Sequence, residues 1–455
     1  MAEKVIAAIS TPCAPGGIGV IRISGAGAME LADRIFRPVS GEPLAARKGY
    51  TAAFGSVWDG QGPVDDAIAT VFRAPKSYTG EDVVEISCHG GLLVCRRVLR
   101  AALAAGAAPA GPGEFTKRAF LNGKLSLTEA EAVTDLISAS SDQALRAARS
   151  AMKGALYRKI RGITDDLLTV SSHIAAYIDY PDEEIDPVES QETAETLRRA
   201  ESQLRGLLDT FDRGQILREG VETVIVGKPN VGKSTLMNLL AGRQKSIVTD
   251  IPGTTRDVVE ETVDLGGVVL RLADTAGIRS TQDAVEKAGV DLALERLDSA
   301  GLVLAVFDQS VPLSQEDYAL VERLKGLPTI AVCNKADLNV KYDVGFINSN
   351  FQHIVEISAR ENSGLDRLRQ EIIGLLELDG ISADGAILAN ARQFDCAQRA
   401  WSLLKEAIST LESGYTLDAV DVAVESVISG LLELTGEKVT DAVVDQVFAR
   451  FCVGK

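Results

Sequence analysis

The sequence predicts a multidomain protein of the α/β and α classes: a mixed α+β N-terminal domain, a discontinuous helical bundle, and an α/β domain inserted between the two pieces of the bundle. Three observations predict it. Short β-branched segments with Gly and Pro between them reach to about Ala119. Long Ala- and Leu-rich stretches occupy Leu127–Phe211 and return after Leu378. Between them, an apolar strand leads directly into a Gly-rich loop.

The N-terminal part reads as one domain covering residues 1–119. Some of its segments are β-branched and apolar, as strands are, and others have helical spacing. The predicted strands are Val5–Ile9, Gly19–Ile23, Ala67–Phe72 and Val83–Ser87, and the predicted helices are Gly27–Phe36 and Leu92–Ala105.

The helical domain is predicted to consist of residues 120–215 and 379–455, with the inserted domain at 216–378. Its first piece is broken near Tyr180-Pro181 and Asp186-Pro187. Its second piece contains amphipathic segments at Ala389–Ser413, Leu417–Leu434 and Val439–Phe451. Because these last segments would bury little apolar surface by themselves, we expect them to complete the earlier bundle.

The inserted domain starts with a phosphate-binding loop. Strand Val224–Val226 runs into Gly-x-x-x-x-Gly-Lys-Ser, and a helix former follows. The glycines let successive backbone N–H groups surround an anion, Lys233 reaches the β- and γ-phosphates, and the Ser234 hydroxyl ligates Mg²⁺. The predicted nucleotide contacts are Asn230, Val231, Gly232, Lys233, Ser234 and Thr235.

Later motifs, in order along the chain, identify the nucleotide as GTP and the domain as a Ras-like P-loop fold. A switch loop offers an Mg²⁺ ligand, and Asp274 stands where a Walker-B carboxylate belongs. Asp337 follows a strand, and its carboxylate can accept the N1–H and N2–H₂ groups of guanine. The remaining predicted contacts are Thr254, Thr255, Thr275, Ala276, Gly277, Asn334, Lys335, Ser358, Ala359 and Arg360.

The group that activates water is left open by these motifs. Ile278 follows Asp-x-x-Gly, where other GTPases place a water-orienting Gln, and its side chain cannot hydrogen-bond water. Glu286 is long enough to reach back, although a solvated switch-helix acid explains it too. Asn230 either ligates a monovalent cation beside the phosphates or bonds to the loop backbone.

Composition bounds the remaining possibilities. Hydrophobic residues make up 46% of the chain and charged residues 24%, and no apolar run approaches the roughly 20 residues of a membrane span. The N-terminus lacks the pattern of a signal peptide, so we expect a cytoplasmic protein. Six cysteines without a C-x-x-C pair and three histidines favour neither a disulfide framework nor a zinc site.

The net charge of −17 argues against broad electrostatic capture of nucleic acid, so any RNA would need a local patch. The best candidate for such a patch is a basic run of six residues, although a solvated helix face explains that run equally well. That basic run is Arg146, Arg149, Lys153, Arg158, Lys159 and Arg161.

Several stretches, taken with the inserted domain, resemble the MnmE (TrmE) family of tRNA-modification GTPases over the whole chain. They are Gly16–Gly25, Ser77–Asp82, Cys88–Gly91, Gly113–Lys124, Ile178–Tyr180 and the terminal Phe451–Lys455. The resemblance implies an N-terminal folate-binding domain that also makes a homodimer, a discontinuous helical domain and a potassium-stimulated G domain.

The resemblance also assigns roles. Glu286 matches the catalytic glutamate, with Arg256 and Arg279 as rivals, and Cys452 matches a terminal cysteine that is a candidate nucleophile or tRNA-site residue. An inert thiol explains Cys452 equally well. Further matches are Arg22, Glu81, Lys124 and Lys455 for a tetrahydrofolate derivative, Asn230, Thr249, Ile251 and Thr254 for K⁺, and Ser234 and Thr255 for Mg²⁺. A surface ion pair explains each folate residue taken alone.

The implied function is that of a GTPase working with an FAD-binding partner of the MnmG (GidA) type. Together they would add a carboxymethylaminomethyl or aminomethyl group to C5 of the wobble uridine of tRNA, with a 5-formyl or methylene tetrahydrofolate as one-carbon donor. GTP hydrolysis would drive a conformational change. The alternative is a G-protein switch in ribosome assembly or RNA binding, without modification chemistry.

Overall fold

A computed structural model describes residues 4–179, 190–242, 261–272, 297, 300–376 and 385–455. The chain divides into two compact units. The first contains the residues up to Thr134, Ile160–Leu168 and Glu425–Lys455, and the second contains Asp135–Lys159 and Thr169–Val424. Within the described ranges, no helix combines the length and the apolar character needed to cross a membrane.

In the described part of the first unit, seven strands form one sheet in the order β3-β4-β5-β6-β2-β1-β7. All neighbours are antiparallel except β1 and β7, which are parallel. The strands are β1 Ile6–Ile9, β2 Ile18–Ser24, β3 Phe36–Pro38, β4 Thr51–Asp59, β5 Gly62–Phe72, β6 Val83–His89 and β7 Ala108–Pro109.

Helices α1 (Ala28–Ile35) and α2 (Leu92–Ala104) pack on this sheet and bury its apolar side chains, among them Ile21 and Ile86, each 0% exposed. The predicted N-terminal strands and helices are therefore confirmed. Strand β4 was missed because its sequence, TAAFGSVWD, is rich in Ala and Gly, which have low strand propensity. It forms through its antiparallel pairing with β5.

The C-terminal tail returns to the first unit's sheet. Val453 bridges Pro112, the Phe115 N–H donates to the Lys455 carbonyl at 3.2 Å, and the Ser10 hydroxyl donates to the Gly454 carbonyl at 3.0 Å. Gly454 has φ +97°, and a Cβ there would lie 2.2 Å from the Ile9 carbonyl oxygen. Only glycine fits this close approach.

The remaining described helices either lie in the helical stretches of the sequence or alternate with the strands of the second sheet. They are α3 Glu114–Leu121, α4 Leu127–Ser138, α5 Asp142–Met152, α6 Ala155–Asp179, α7 Ser190–Leu208, α8 Phe211–Glu219, α9 Lys233–Ala241, α10 Gln315–Arg323, α11 Val344–Asn350, α12 Leu365–Leu375, α13 Ala391–Glu412, α14 Leu417–Thr435 and α15 Asp441–Phe448.

Helix α13 packs along α7 although nearly two hundred residues separate them. The Trp401 indole N–H on α13 donates to Glu201 Oε1 on α7 at 2.6 Å. Helix α13 also contacts α8, since the ring centroids of Phe394 and Phe211 lie 4.4 Å apart. The first C-terminal helical segment thus packs against an earlier one. The domain limits drawn from the sequence stay predictions.

The described part of the second unit holds a six-stranded sheet in the order β13-β12-β11-β8-β10-β9. Only the edge strand β9 is antiparallel to its neighbour. The strands are β8 Val221–Val226, β9 Glu261–Asp264, β10 Val269–Leu272, β11 Leu302–Asp308, β12 Thr329–Asn334 and β13 His353–Glu356.

Both faces of this sheet are covered, since one core cluster includes Leu236 and Leu368 and another includes Val321 and Phe351. That explains why β11 and β12 are apolar along their whole length. The fold class predicted from the sequence is confirmed: a mixed α+β sheet domain, helical segments, and a P-loop α/β domain inserted between them.

Candidate functional site

The loop after β8 has the backbone of an anion-binding nest. Gly227, Asn230 and Gly232 have φ values of +149°, +64° and +100°. A Cβ would lie 2.4 Å from the Val306 carbonyl oxygen at Gly227, and 2.2 Å from Asn334 Nδ2 at Gly232. The loop needs glycine at both positions, and it delivers the chain into the N-terminus of α9, where backbone N–H groups favour phosphate.

Lys233 lies over this loop. Its Nζ donates to the carbonyls of Gly227 at 2.7 Å and Lys228 at 2.9 Å. The two bonds hold the ammonium group at the mouth of the nest, where phosphate oxygens would meet it. Ser234 and Thr235 follow in the first turn of α9 and are exposed, as a metal-ligating hydroxyl must be. Asn230 is also exposed, at the tip of the loop.

Asn334 ties the phosphate loop to the loop that follows β13, which is predicted to bind the base. It is 3% exposed at the end of β12. Its Nδ2 donates to the Val231 carbonyl at 2.8 Å, and its Oδ1 accepts from the Ala359 N–H at 3.1 Å. One buried amide thus satisfies backbone groups in two separate loops, so the three predicted segments meet at one edge of the sheet.

Asp337 is exposed, and the buried Ser358 hydroxyl donates to its Oδ1 at 2.6 Å. This hydrogen bond is the main cause of a lowered pKa for the Asp337 carboxyl. Ser358 in turn accepts from the Glu361 N–H at 3.2 Å, which orients its hydroxyl. The hydrogen bond therefore favours the ionised form of the carboxylate and fixes its orientation. Arg360 is exposed beside this loop.

Lys335 has φ +66°, and its Nζ donates to Asp308 Oδ2. Burial raises the pKa of Asp308, but hydrogen bonds from Lys335 and Ser310 outweigh it, so the net pKa is lowered. The sequence analysis missed Asp308. The sequence feature that could have identified Asp308 is its place at the carboxyl end of an otherwise apolar strand, where binding groups collect in α/β folds.

A second missed residue is Lys228, in the phosphate loop itself. Its Nζ lies 2.6 Å from Oδ2 of Asp317, which is 1% exposed and also accepts from the Ser314 N–H and hydroxyl. Asp317 lies in the first turn of α10 and Ser314 is its N-cap. This ion pair ties the phosphate loop to the start of α10.

A further set of predicted site residues lies outside the described residues. They are Thr249, Ile251, Thr254, Thr255, Arg256, Asp274, Thr275, Ala276, Gly277, Ile278, Arg279 and Glu286. Their roles in Mg²⁺ and K⁺ binding and in water activation stay predictions.

In the first unit, Arg22 and Glu85 are directly opposite each other on β2 and β6. Arg22 Nε and Nη2 both lie 2.8 Å from Glu85 Oε1, and the guanidinium stacks 5.3 Å from the Tyr78 ring centroid and 5.4 Å from that of Phe115. Arg22 is thus held by a cross-strand ion pair, with its planar face against two aromatic rings.

Glu81 faces Arg118, which the sequence analysis missed. Arg118 Nη1 lies 3.1 Å and 3.2 Å from the two carboxylate oxygens, and the Ser24 hydroxyl donates to Glu81 Oε2 at 2.7 Å. Lys124, exposed, donates to the Pro75 carbonyl at 3.0 Å. The 75–81 loop therefore brings three of the four predicted folate residues together: it contains Glu81, its Tyr78 contacts Arg22, and its Pro75 contacts Lys124.

The fourth, Lys455, reaches the same region through Phe115, whose ring faces Arg22 and whose N–H bonds the Lys455 carbonyl. Cys452, three residues earlier, is exposed. Its backbone is fixed, since its carbonyl accepts from the Gly113 N–H at 3.3 Å. The thiol of Cys452 is therefore accessible, and whether it is reactive or inert stays a prediction.

The six residues of the basic run differ in their polar contacts. Arg146, Arg149 and Lys153 are exposed on or just after α5. Arg161 pairs with Asp165 at 3.0 Å and with Glu437 at 2.7 Å, which neutralises its charge locally. Arg158 and Lys159 are exposed and make short-range polar contacts within their own unit.

Comparisons with known proteins agree with this geometry. The sequence model of the MnmE helical domain matches residues 127–452, and that of the GTP-binding protein TrmE N-terminus matches residues 5–124. The tRNA modification GTPase MnmE of Symbiobacterium thermophilum is 44% identical over 459 residues, covering 100% of both chains. That of Bacillus subtilis strain 168 is 40% identical over 456 residues, covering 99% of each.

Among solved structures, the G domain of the T. maritima FeoB iron transporter covers 34% of this chain and 98% of its own, at 27% identity. Its TM-score of 0.25 is too low to bear on the fold. The sequence comparisons extend over the full length, and they coincide with a phosphate loop, a buried Asn334 bridge and an oriented Asp337: this chain belongs to the MnmE family of tRNA modification GTPases.

Proposed function

We propose that the chain binds and hydrolyses GTP in the service of tRNA modification in the cytoplasm. The observation that carries the proposal is the Asn334 bridge, which holds the phosphate loop and the oriented Asp337–Ser358 pair at one sheet edge. Lys233 and the loop amides would hold the phosphates, and Ser234 with Thr255 would ligate Mg²⁺, which offsets phosphate charge. Asp337 selects guanine.

The finer proposal is that the protein acts as a homodimer with an FAD-binding MnmG (GidA) type partner on the wobble uridine of tRNA. A carboxymethylaminomethyl or aminomethyl group would be added at C5. The exposed residues Arg146, Arg149 and Lys153 support tRNA contact as a local positive patch on an acidic protein. The test is the nucleoside content of tRNA from a deletion strain complemented with this chain. Unmodified wobble uridine alongside active GTP hydrolysis would favour the assembly-switch alternative.

Folate binding is proposed for the region of Arg22, Lys124 and Lys455, whose cations suit the glutamate carboxylates of a tetrahydrofolate. Glu81 would accept hydrogen bonds from the pterin amino group, and Arg118 holds its carboxylate in place for that contact.

Calorimetry with 5-formyltetrahydrofolate tests the proposed Arg22 contact, with Arg22→Ala and Glu85→Ala as a matched pair. Each substitution breaks the same cross-strand ion pair, but only Arg22→Ala removes the cation. Weakening by at least about tenfold in Arg22→Ala beyond that in Glu85→Ala supports folate contact, because a charge-assisted bond contributes about 1.5–3 kcal/mol. Equal losses would show that the ion pair matters only for the fold.

For hydrolysis, we propose that K⁺ binds Asn230 together with Thr249, Ile251 and Thr254, and that Glu286 orients or deprotonates the attacking water. The positive φ of Asn230 places it at the exposed rim of the phosphate nest, which supports a ligand role. Hydrolysis should be faster in potassium than in sodium salt, and Asn230→Ala should remove the difference. Equal rates in both salts for the wild type would contradict the cation site.

Glu286→Ala should lower the hydrolysis rate by roughly 10²–10⁴-fold, as expected for lost general acid–base catalysis, with little change in GTP affinity. Arg279→Ala is the comparison variant. If Arg279→Ala shows the large fall and Glu286→Ala does not, the role belongs to the arginine.

A further inference from the structure

Gln309 is buried directly after β11, next to the guanine-selecting loop. It is 2% exposed. Its N–H donates to the Asn334 carbonyl at 3.1 Å, and its carbonyl accepts from the Lys341 N–H at 2.7 Å. Its backbone therefore has a fixed position relative to the chain before and after Asp337.

The side chain of Gln309 spans the turn that carries Asp337. Its Nε2 donates to the Lys335 carbonyl at 3.3 Å and to the Leu338 carbonyl at 3.2 Å. These carbonyls flank Ala336 and Asp337, and the Leu338 N–H closes the turn onto the Lys335 carbonyl at 2.9 Å. One NH₂ group with two hydrogens matches two acceptors, whereas the flipped amide would place an oxygen against both.

The other end of the amide shows that stability is a poor explanation for this residue. Gln309 Oε1 is buried and has no hydrogen-bond partner among the residues that the structure describes. Burying an unpaired acceptor is unfavourable and offsets much of the gain from the two donated bonds. The amide therefore adds little to the free energy of folding, and the main effect of its two donated hydrogen bonds is to fix the geometry of the turn.

We propose that Gln309 is a positioning residue for guanine recognition: its amide holds the Lys335–Leu338 turn so that Asp337 meets the base in the right orientation. The inference rests on the proposed GTP binding and deepens it. Ser358 holds the tip of the Asp337 side chain, and Gln309 holds the backbone that carries it. Asp337 itself is exposed, so without these two supports its carboxylate would rotate in solvent.

The preference for GTP over ITP distinguishes a role of Gln309 in positioning Asp337 from a general effect of Gln309 on the stability of the fold. GTP offers Asp337 both N1–H and N2–H₂, whereas ITP lacks the 2-amino group and offers N1–H alone. A correctly placed carboxylate gains from the second donor, and a displaced one gains less. The ratio of the ITP and GTP dissociation constants therefore reports the placement of Asp337, since the phosphates and ribose are identical in the two ligands.

The experiment measures both constants for the full-length protein by fluorescence competition. Gln309→Met keeps the length of the side chain and removes both donors, and Gln309→Glu replaces the NH₂ by oxygen. We expect the ratio to fall roughly 3- to 10-fold in each, in line with the contribution of one or two hydrogen bonds. Lys228→Met is the matched control: it loosens the phosphate loop through Asp317, so both ligands should weaken equally and the ratio should hold.

Each outcome decides one question. A wild type that binds neither nucleotide overturns the proposed function. A wild type that prefers GTP, with Gln309→Met and Gln309→Glu preferring it equally strongly, overturns the positioning role, and so does an equal weakening of GTP and ITP. Thermal unfolding shows which of the two variants is folded, and a folded one is sufficient for the decision.

Discussion

Replacing Gly232 by Ala tests the reasoning about the phosphate loop most directly. The new Cβ would lie 2.2 Å from Asn334 Nδ2, well inside contact distance, at a residue with φ +100°. A side chain at such a φ costs about 1–3 kcal/mol. Displacing Asn334 also sacrifices its bonds to the Val231 carbonyl and the Ala359 N–H, at roughly 0.5–1.5 kcal/mol each.

These costs total roughly 2–6 kcal/mol if the loop keeps its conformation. The free protein can escape them by letting the loop relax, but GTP binding must then restore it. Since about 1.4 kcal/mol corresponds to tenfold in affinity, we expect GTP binding to weaken by between about 30-fold and about 10⁴-fold. The assay is a fluorescence anisotropy titration with a labelled GTP at fixed Mg²⁺ and salt.

Gly374→Ala is the matched control, since it adds the same methyl group near the end of α12, where an added Cβ would meet nothing within 4 Å. In a helix this exchange is neutral or stabilising by about 0.5–1 kcal/mol, and GTP affinity should not change. A Gly232→Ala protein that is folded and binds GTP within about threefold of the wild type would refute the steric argument.

Three more predictions concern the same sheet edge. Ser358→Ala removes the main cause of the lowered pKa of Asp337, so that pKa should rise and the loss of GTP affinity on acidification should begin at higher pH; an unshifted acid limb would contradict this. Folding lowers the pKa of Asp308, so the carboxylate stabilises the fold at pH values above its unfolded pKa, and this stabilisation is lost as the pH falls through its folded pKa. Asp308→Asn should therefore reduce the pH dependence of the denaturation midpoint between pH 7 and pH 3. Asp317→Ala removes both the ion pair with Lys228 and the hydrogen bonds from Ser314 that cap α10, whereas Lys228→Met leaves those hydrogen bonds in place. Amide exchange in α10 should therefore speed by about 10²-fold in Asp317→Ala and by less in Lys228→Met, and equal effects would contradict the capping role of Asp317.

How much the sequence predicts depends on the range of each interaction. The strand, loop and helix around Gly227–Ser234 were predictable because apolar runs, glycines and a Lys-Ser pair act within a few residues. Asn334, Asp337 and Ser358 were assigned correctly to strand ends, and strand ends of a parallel sheet meet at one edge.

The sequence by itself determined the order of the domains, the phosphate loop and the family, since these depend on local patterns and on whole-chain similarity. Only the tertiary structure decided that Arg22 pairs with Glu85 and that Gln309 supports the Asp337 turn. Those contacts join residues far apart in the chain, and strand register and loop packing select them. A side chain's partner across a sheet depends on that register, which no local pattern encodes.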